Sequence, residues 1–197
     1  MNFLAHLYLS SEDDELMIGN FIADSVKGSA YNNYPIGIRK GILLHRAIDS
    51  FTDSHAIVKQ SVLRLRPAHR KFSGVIVDIF YDHFLALRWN EFSEVALSDF
   101  AKRVHVLMLE HKNLMPVRSQ HFLQYMVMNN IPLPYAEIKG IEKVLFGMSR
   151  RSSFENTMHL ATADLVTCYA DFENEFRLFF PEIITFCQNK KSESALQ

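Results

Sequence analysis

The sequence predicts an all-α, single-domain helical bundle, and three observations carry that expectation. Seven glycines and six prolines in 197 residues are about half the usual share, and sheet proteins consume turn residues. No segment of useful length alternates apolar and polar side chains as a half-buried strand does. The helix-ending residues that are present, among them Gly28, Pro35, Pro67, Gly74, Pro116, Pro132, Pro134, Gly147 and Pro181, fall between stretches of helical periodicity.

Between those marks the pattern predicts helices over about residues 2–10, 13–27, 35–54, 55–66, 72–91, 97–114, 118–129, 134–147 and 151–179, with a short one at about 182–189. The first carries Phe3, His6 and Leu9, and the second places Met17, Asn20, Phe21 and Asp24 on one side. The third starts at Pro35, a residue suited to a helix start, and the fourth is expected to end before Pro67. The last long helix carries Tyr169, Phe172, Phe176, Phe179 and Phe180, a spacing that suits a core seam better than a stacking platform. One domain over residues 1–190 is expected, with a frayed tail at 191–197.

With 21 basic and 22 acidic residues the net charge is −1, and 48% of the chain is apolar. A generally basic nucleic-acid binder and an acidic tail are excluded, so a charged partner has to be met by a local patch. No window approaches the roughly 18 apolar residues of a membrane span. The start, Met1 to Leu9, has no basic region and carries His6 within its apolar stretch, unlike a secretion signal. Cys168 and Cys187 form no disulfide framework or metal-type pair. A reducing, cytoplasmic setting is the expectation.

The informative residues are polar ones on apolar helix faces. At 100° per residue, the third helix groups Ile38, Gly41, Ile42, His45, Ile48, Asp49 and Thr52. His45 and Asp49, one turn apart, are placed to touch. A carboxylate in that setting needs a partner or a cation, so the pair is either a core hydrogen bond or part of a site. The fifth helix repeats the pattern with Asp78 and Asp82, on a stripe with Val75, Ile79, Leu85, Ala86 and Trp89, and His83 lies at its flank. Two carboxylates there repel unless a metal or buried base neutralises them.

His6 and Asp24 extend the pattern to the first two helices, so four helices each aim a His or Asp inward. Convergent ligands of this kind are how helical bundles build metal sites. Imidazole and carboxylate without thiolate suit Mn, Fe, Zn or Mg, which points to metal-assisted hydrolysis. The chain lacks a Gly-rich phosphate loop, a G-x-S-x-G elbow and an H-E-x-x-H motif. Two basic clusters, Arg64, Arg66, His69, Arg70 and Lys71, then Arg150 and Arg151, are either solvated faces or a docking surface for an acidic or phosphorylated partner.

The segments Met1-Asn2-Phe3-Leu4-Ala5-His6-Leu7, Gly19-Asn20-Phe21-Ile22-Ala23-Asp24, Gly41-Ile42-Leu43-Leu44-His45-Arg46-Ala47-Ile48-Asp49 with Thr52-Asp53, and Asp78 with Asp82-His83-Phe84-Leu85 resemble the acyl carrier protein phosphodiesterases. The likeness continues through Gly147-Met148 to the aromatic last helix. It implies a helical bundle of the HD-type phosphohydrolase kind, although the adjacent pair here runs Asp82-His83. It also implies a divalent metal, manganese above all with Mg²⁺ or Fe²⁺ as substitutes. The implied reaction cleaves the phosphodiester between a carrier-protein serine and 4′-phosphopantetheine, and the implied partner is holo acyl carrier protein, an acidic protein.

On that resemblance Asp24, His45, Asp82 and His83 are expected nearest the metal, with Asp78 as a further ligand or anchor and Asp49 orienting His45. His6 is expected as general acid for the serine oxygen, Arg46 as a phosphoryl contact, and Arg64, Arg66, Arg70 and Lys71 as the carrier-protein contact. The same cluster would equally serve a phosphohydrolase acting on a nucleotide or another small diester. A non-enzymatic interaction module would keep the polar pairs for core specificity alone.

Overall fold

Asp13 opens one of the first helices by accepting a hydrogen bond from the Leu16 N–H at 2.9 Å, a side-chain cap of the kind that starts helices throughout proteins. The computed structural model describes residues 1–195, and they contain helices and turns but no strand. In chain order the helices are α1 (Phe3–Leu9), α2 (Asp14–Ile22), α3 (Ile36–Ser54), α4 (Ala56–His69), α5 (Ser73–Leu87), α6 (Leu97–Glu110), α7 (Val117–Met128), α8 (Ile138–Arg151), α9 (Ala161–Thr167) and α10 (Tyr169–Ala195). The all-α expectation holds.

Several boundaries differ from the sequence reading. The second predicted helix stops at Ile22 and passes into a tight turn, Ala23–Ser25, that carries Asp24. The fourth runs through Pro67 to His69, and the last runs through Pro181. Each proline occupies an exposed face, so the carbonyl that loses its N–H partner turns to water and the helix continues. The helix expected over 151–179 is broken after Arg151, resumes as α9 and breaks again at Cys168 before α10. Finally, helix continues through most of the tail expected to fray, as far as Ala195, while residues 196 and 197 lie outside the described residues.

The centre of the bundle is α5. From Ile76 to Ala86 every residue except Asp78 is buried, as expected of a helix enclosed on all sides. Against it lies the seam of α10, where Phe172, Phe176, Phe179 and Phe180 are fully buried. Phe80 meets Phe172, and Tyr81 meets Phe176, edge to face with ring centres 5.1 and 5.8 Å apart. Ser61, Tyr81, Arg64 and Glu175 tie α4, α5 and α10 together through one polar network.

The contact that positions the site is between α2 and α3. A Cβ built on Gly19 would stand 2.1 Å from the Ile38 carbonyl oxygen, and one on Gly41 would stand 2.3 Å from that of Leu16. Only hydrogen fits at either position, so the two backbones approach closely. That approach brings Asn20 of α2 against His45 of α3.

Candidate metal and catalytic site

Asn20 is buried at the junction of three helices. Its Nδ2 donates to the His6 carbonyl and to Ser10 Oγ, both at 2.9 Å. Its Oδ1 and its own carbonyl face His45 Nδ1 at 2.9 and 3.0 Å. Both are acceptors, so Nδ1 carries the hydrogen and Nε2 is the atom that points into the site. Ligating histidines are held in the same way, with the second ring nitrogen donating to a fixed oxygen.

Around His45 Nε2 stand Asp49 Oδ2 at 3.2 Å and Asp24 Oδ1 at 3.4 Å. Burial opposes a charge on His45, but hydrogen bonds to Asp24 and Asp49 outweigh it and raise its pKa to about 9. Asp24 is held below the usual range chiefly by the hydrogen bond from His45. Asp49 is also pushed well down: burial acts against the shift, and the hydrogen bonds from His45 and His6 prevail. Without an ion, one proton is shared among three groups.

His6 stacks on His45 with ring centres 4.0 Å apart, yet its electronic setting is opposite. Its Nε2 faces the Met1 carbonyl at 3.0 Å and Asp49 Oδ1 at 3.1 Å, so Nε2 is the donor and Nδ1 holds the lone pair. Nδ1 is buried without a partner. Burial lowers the His6 pKa to about 4, with the Asp49 hydrogen bond acting against the shift. The ring is therefore neutral near pH 7.

Among the described residues, one ligand atom each from His6, His45 and Asp49 lies within 4.8 Å of the others. The donor set fits a hard or borderline divalent ion. With Asp24 also 3.4 Å from it, His45 Nε2 would hold such an ion together with Asp24 and Asp49. To ligate through Nε2, His6 would have to move its hydrogen to Nδ1, where that donor has no partner; its natural part is to donate to Asp49.

The remaining expected residues lie around or away from this group. Asp78 receives the Met1 ammonium at 3.1 Å, and the same ammonium is 3.7 Å from Asp49. Burial raises the Asp78 pKa against the pull of that ammonium. Asp82 is fully buried and accepts the Leu4 and Ala5 N–H groups at 2.7 and 3.0 Å, which caps α1, where Asn2 supplies no side-chain cap. Its pKa rises to about 7 because burial outweighs those two bonds. His83 donates to the Tyr135 carbonyl at 2.7 Å and pairs with the Tyr169 hydroxyl at 3.0 Å. Neither Asp82 nor His83 joins the three-residue group.

Arg46 donates to the Val26 carbonyl at 3.0 Å and lies over the Tyr31 ring. It anchors the turn that presents Asp24. Of the basic run, Arg64 is turned inward onto Glu175 through two bonds of 2.6 and 2.7 Å, while Arg66, Arg70 and Lys71 are exposed. The sequence reading passed over Asn20 and the Met1 ammonium. The only trace of the first was a polar residue on the buried side of α2.

The family model described as acyl carrier protein phosphodiesterase matches residues 1–183. Acyl carrier protein phosphodiesterases from Klebsiella pneumoniae strain 342, Photorhabdus laumondii and Yersinia enterocolitica are 33%, 31% and 31% identical to this chain. The alignments cover 97%, 96% and 97% of this chain, and 100%, 96% and 100% of those proteins. No solved structure matches it. With a matching model over most of its length and relatives aligned from end to end, the chain belongs to the acyl carrier protein phosphodiesterase family.

Proposed function

We propose that the protein is a metal-dependent phosphodiesterase that hydrolyses holo acyl carrier protein, giving apo carrier protein and 4′-phosphopantetheine. The family supports the substrate, since its members are named for it. The metal dependence rests on one observation: His45 presents Nε2, with its other nitrogen tied to Asn20, to Asp49 and Asp24 within 3.4 Å. A divalent ion in this oxygen-rich set, Mn²⁺ above all, would be held by those three residues and supply Lewis-acid activation of water and of the phosphoryl group.

The chain's own groups do the positioning. Asn20 fixes the His45 tautomer, and the His6 N–H orients Asp49. Arg46 holds the turn that carries Asp24. The Met1 ammonium spans Asp49 and Asp78, neutralising two carboxylates that would otherwise repel. A proton for the departing serine oxygen, the part expected of His6, requires an imidazolium, and burial keeps that ring neutral. In this arrangement His6 acts on Asp49 instead.

Purified protein incubated with Mn²⁺ and holo carrier protein should yield apo carrier protein, detected as loss of the prosthetic-group mass. No release at any metal loading would overturn the proposal.

A further inference from the structure

The two basic clusters of the sequence meet at one corner of the molecule. Lys71, in the turn between α4 and α5, lies over the Phe154 ring with Nζ 3.4 Å from its centre. Thr157 donates to the Ala68 carbonyl at 2.9 Å and pairs with His69 at 2.8 Å. Asn156 reaches back to the Ser149 carbonyl at the end of α8 at 3.1 Å. The end of α4, the turn after it, and the end of α8 with its following loop are thus joined.

The outer face of α8 continues the charge. Lys139, Lys143, Phe146 and Arg150 follow at helical spacing on one exposed stripe, opposite buried Ile141 and Leu145. Arg64, Arg88, Arg103, Arg177, Lys102 and Lys190 are all ion-paired. Among the described residues, no cation of the α8 stripe and neither Arg70 nor Lys71 is so paired. Between these charges stand Phe146 and Phe154, 51% and 61% exposed. Glu142 and Glu155 are exposed on the same helix and loop but form no ion pair with these cations, so in a chain of net charge −1 the patch keeps a modest local excess of positive charge.

The corner also packs onto the centre of the bundle. Arg151 lies over the Tyr125 ring of α7, and α8 packs against α5 and the turn Leu133–Ala136, whose Tyr135 carbonyl accepts from His83.

We propose that the outer face of α8, with Arg70, Lys71 and Phe154, is the surface on which the acidic carrier protein docks. Carboxylates of the partner meet the unpaired cations, and its apolar side chains meet Phe146 and Phe154. The proposal rests on the reading that carrier protein is the substrate. A protein is favoured over a nucleic acid or a lipid surface because the scissile bond begins on a carrier-protein serine, and because apolar rings interrupt the cations as they do at protein interfaces.

The test is the triple variant Lys139→Glu/Lys143→Glu/Arg150→Glu, with Lys102→Glu on α6 as a charge control and circular dichroism to establish that both fold. Affinity for apo carrier protein, which has no phosphodiester to cleave, is measured by titration calorimetry on the Mn²⁺-loaded protein, and KM and kcat by apo carrier-protein formation from the holo form. The triple variant should weaken binding and raise KM by at least about tenfold while kcat stays within about twofold, with the control unchanged. Unchanged binding in the triple variant overturns the proposal. So does preferential binding of an RNA oligomer or a phosphatidylglycerol vesicle that the triple variant loses while carrier-protein binding persists. Because calorimetry reads binding without turnover, an inactive protein that still binds through this face would sink the catalytic reading and leave the surface standing.

Discussion

At the scale of single residues, two aspartates that look alike in the sequence have different work. Asp24 is 82% exposed at its side chain and faces His45, whereas Asp82 is fully buried and caps α1. Asp24→Ala should cost no more than about 1 kcal/mol, its share of the stabilisation that the His45 proton supplies, and abolish metal binding and turnover. Asp82→Ala should lower stability by about 3 kcal/mol, because two buried N–H groups lose their acceptor, yet the folded fraction should still bind one ion. Denaturant titration paired with metal analysis separates them. If Asp82→Ala lost the ion without losing stability, Asp82 would be a ligand.

His45 adds a pH prediction with a definite sign. Its folded pKa, about 9, is above the ordinary value of 6.5, so the metal-free fold binds a proton that the unfolded chain releases earlier. The stabilisation is fully present below pH 6.5 and is lost as pH rises through 9. With allowance for the exposure of Asp24, it amounts to about 2 kcal/mol. Unfolding in chelator should show this decline, and His45→Gln should flatten it; an unsloped wild-type profile would contradict the shared proton.

At the scale of elements, what was legible in the sequence is what local periodicity governs. The i, i+4 spacing of His45 and Asp49 is a property of one helix, and the structure gives the contact directly. Periodicity also marked Asp82 and His83 as inward-facing, and they are buried. It cannot name their partners, because those arrive from other parts of the chain: the amides of α1 lie 78 and 77 residues from Asp82, and His83 meets Tyr135 and Tyr169. Inward-facing polarity was therefore read as ligation where one residue is a cap. Pro67 and Pro181 misled for a related reason, since the cost of a proline in a helix depends on whether the orphaned carbonyl meets water. The α2–α3 glycines test the elements themselves. Gly19→Ala should force the helices apart, cost about 2 kcal/mol by overpacking and reduce metal affinity by loosening Asn20 from His45. Wild-type affinity in that variant would separate the glycine contact from the site.

At the scale of the whole molecule, the proposed ion joins separate parts of the chain. Asp24 comes from the turn after α2, His45 and Asp49 from α3, and His6 of α1 donates to Asp49. An ion held in the folded chain and not in the unfolded one shifts the balance by about 2.7 kcal/mol at a hundredfold excess over its dissociation constant. Mn²⁺ should raise the thermal midpoint by several degrees, since about 1 kcal/mol shifts a chain of this size by roughly 2–4 °C. Chelator should reverse the rise, and Asp24→Ala should abolish it while lowering the metal-free midpoint by no more than about 4 °C. An interaction module whose polar pairs serve only its core predicts no response to metal in either protein. A wild-type midpoint indifferent to Mn²⁺ across the pH range in which His45 gives up its proton would favour that module and remove the ion from the mechanism.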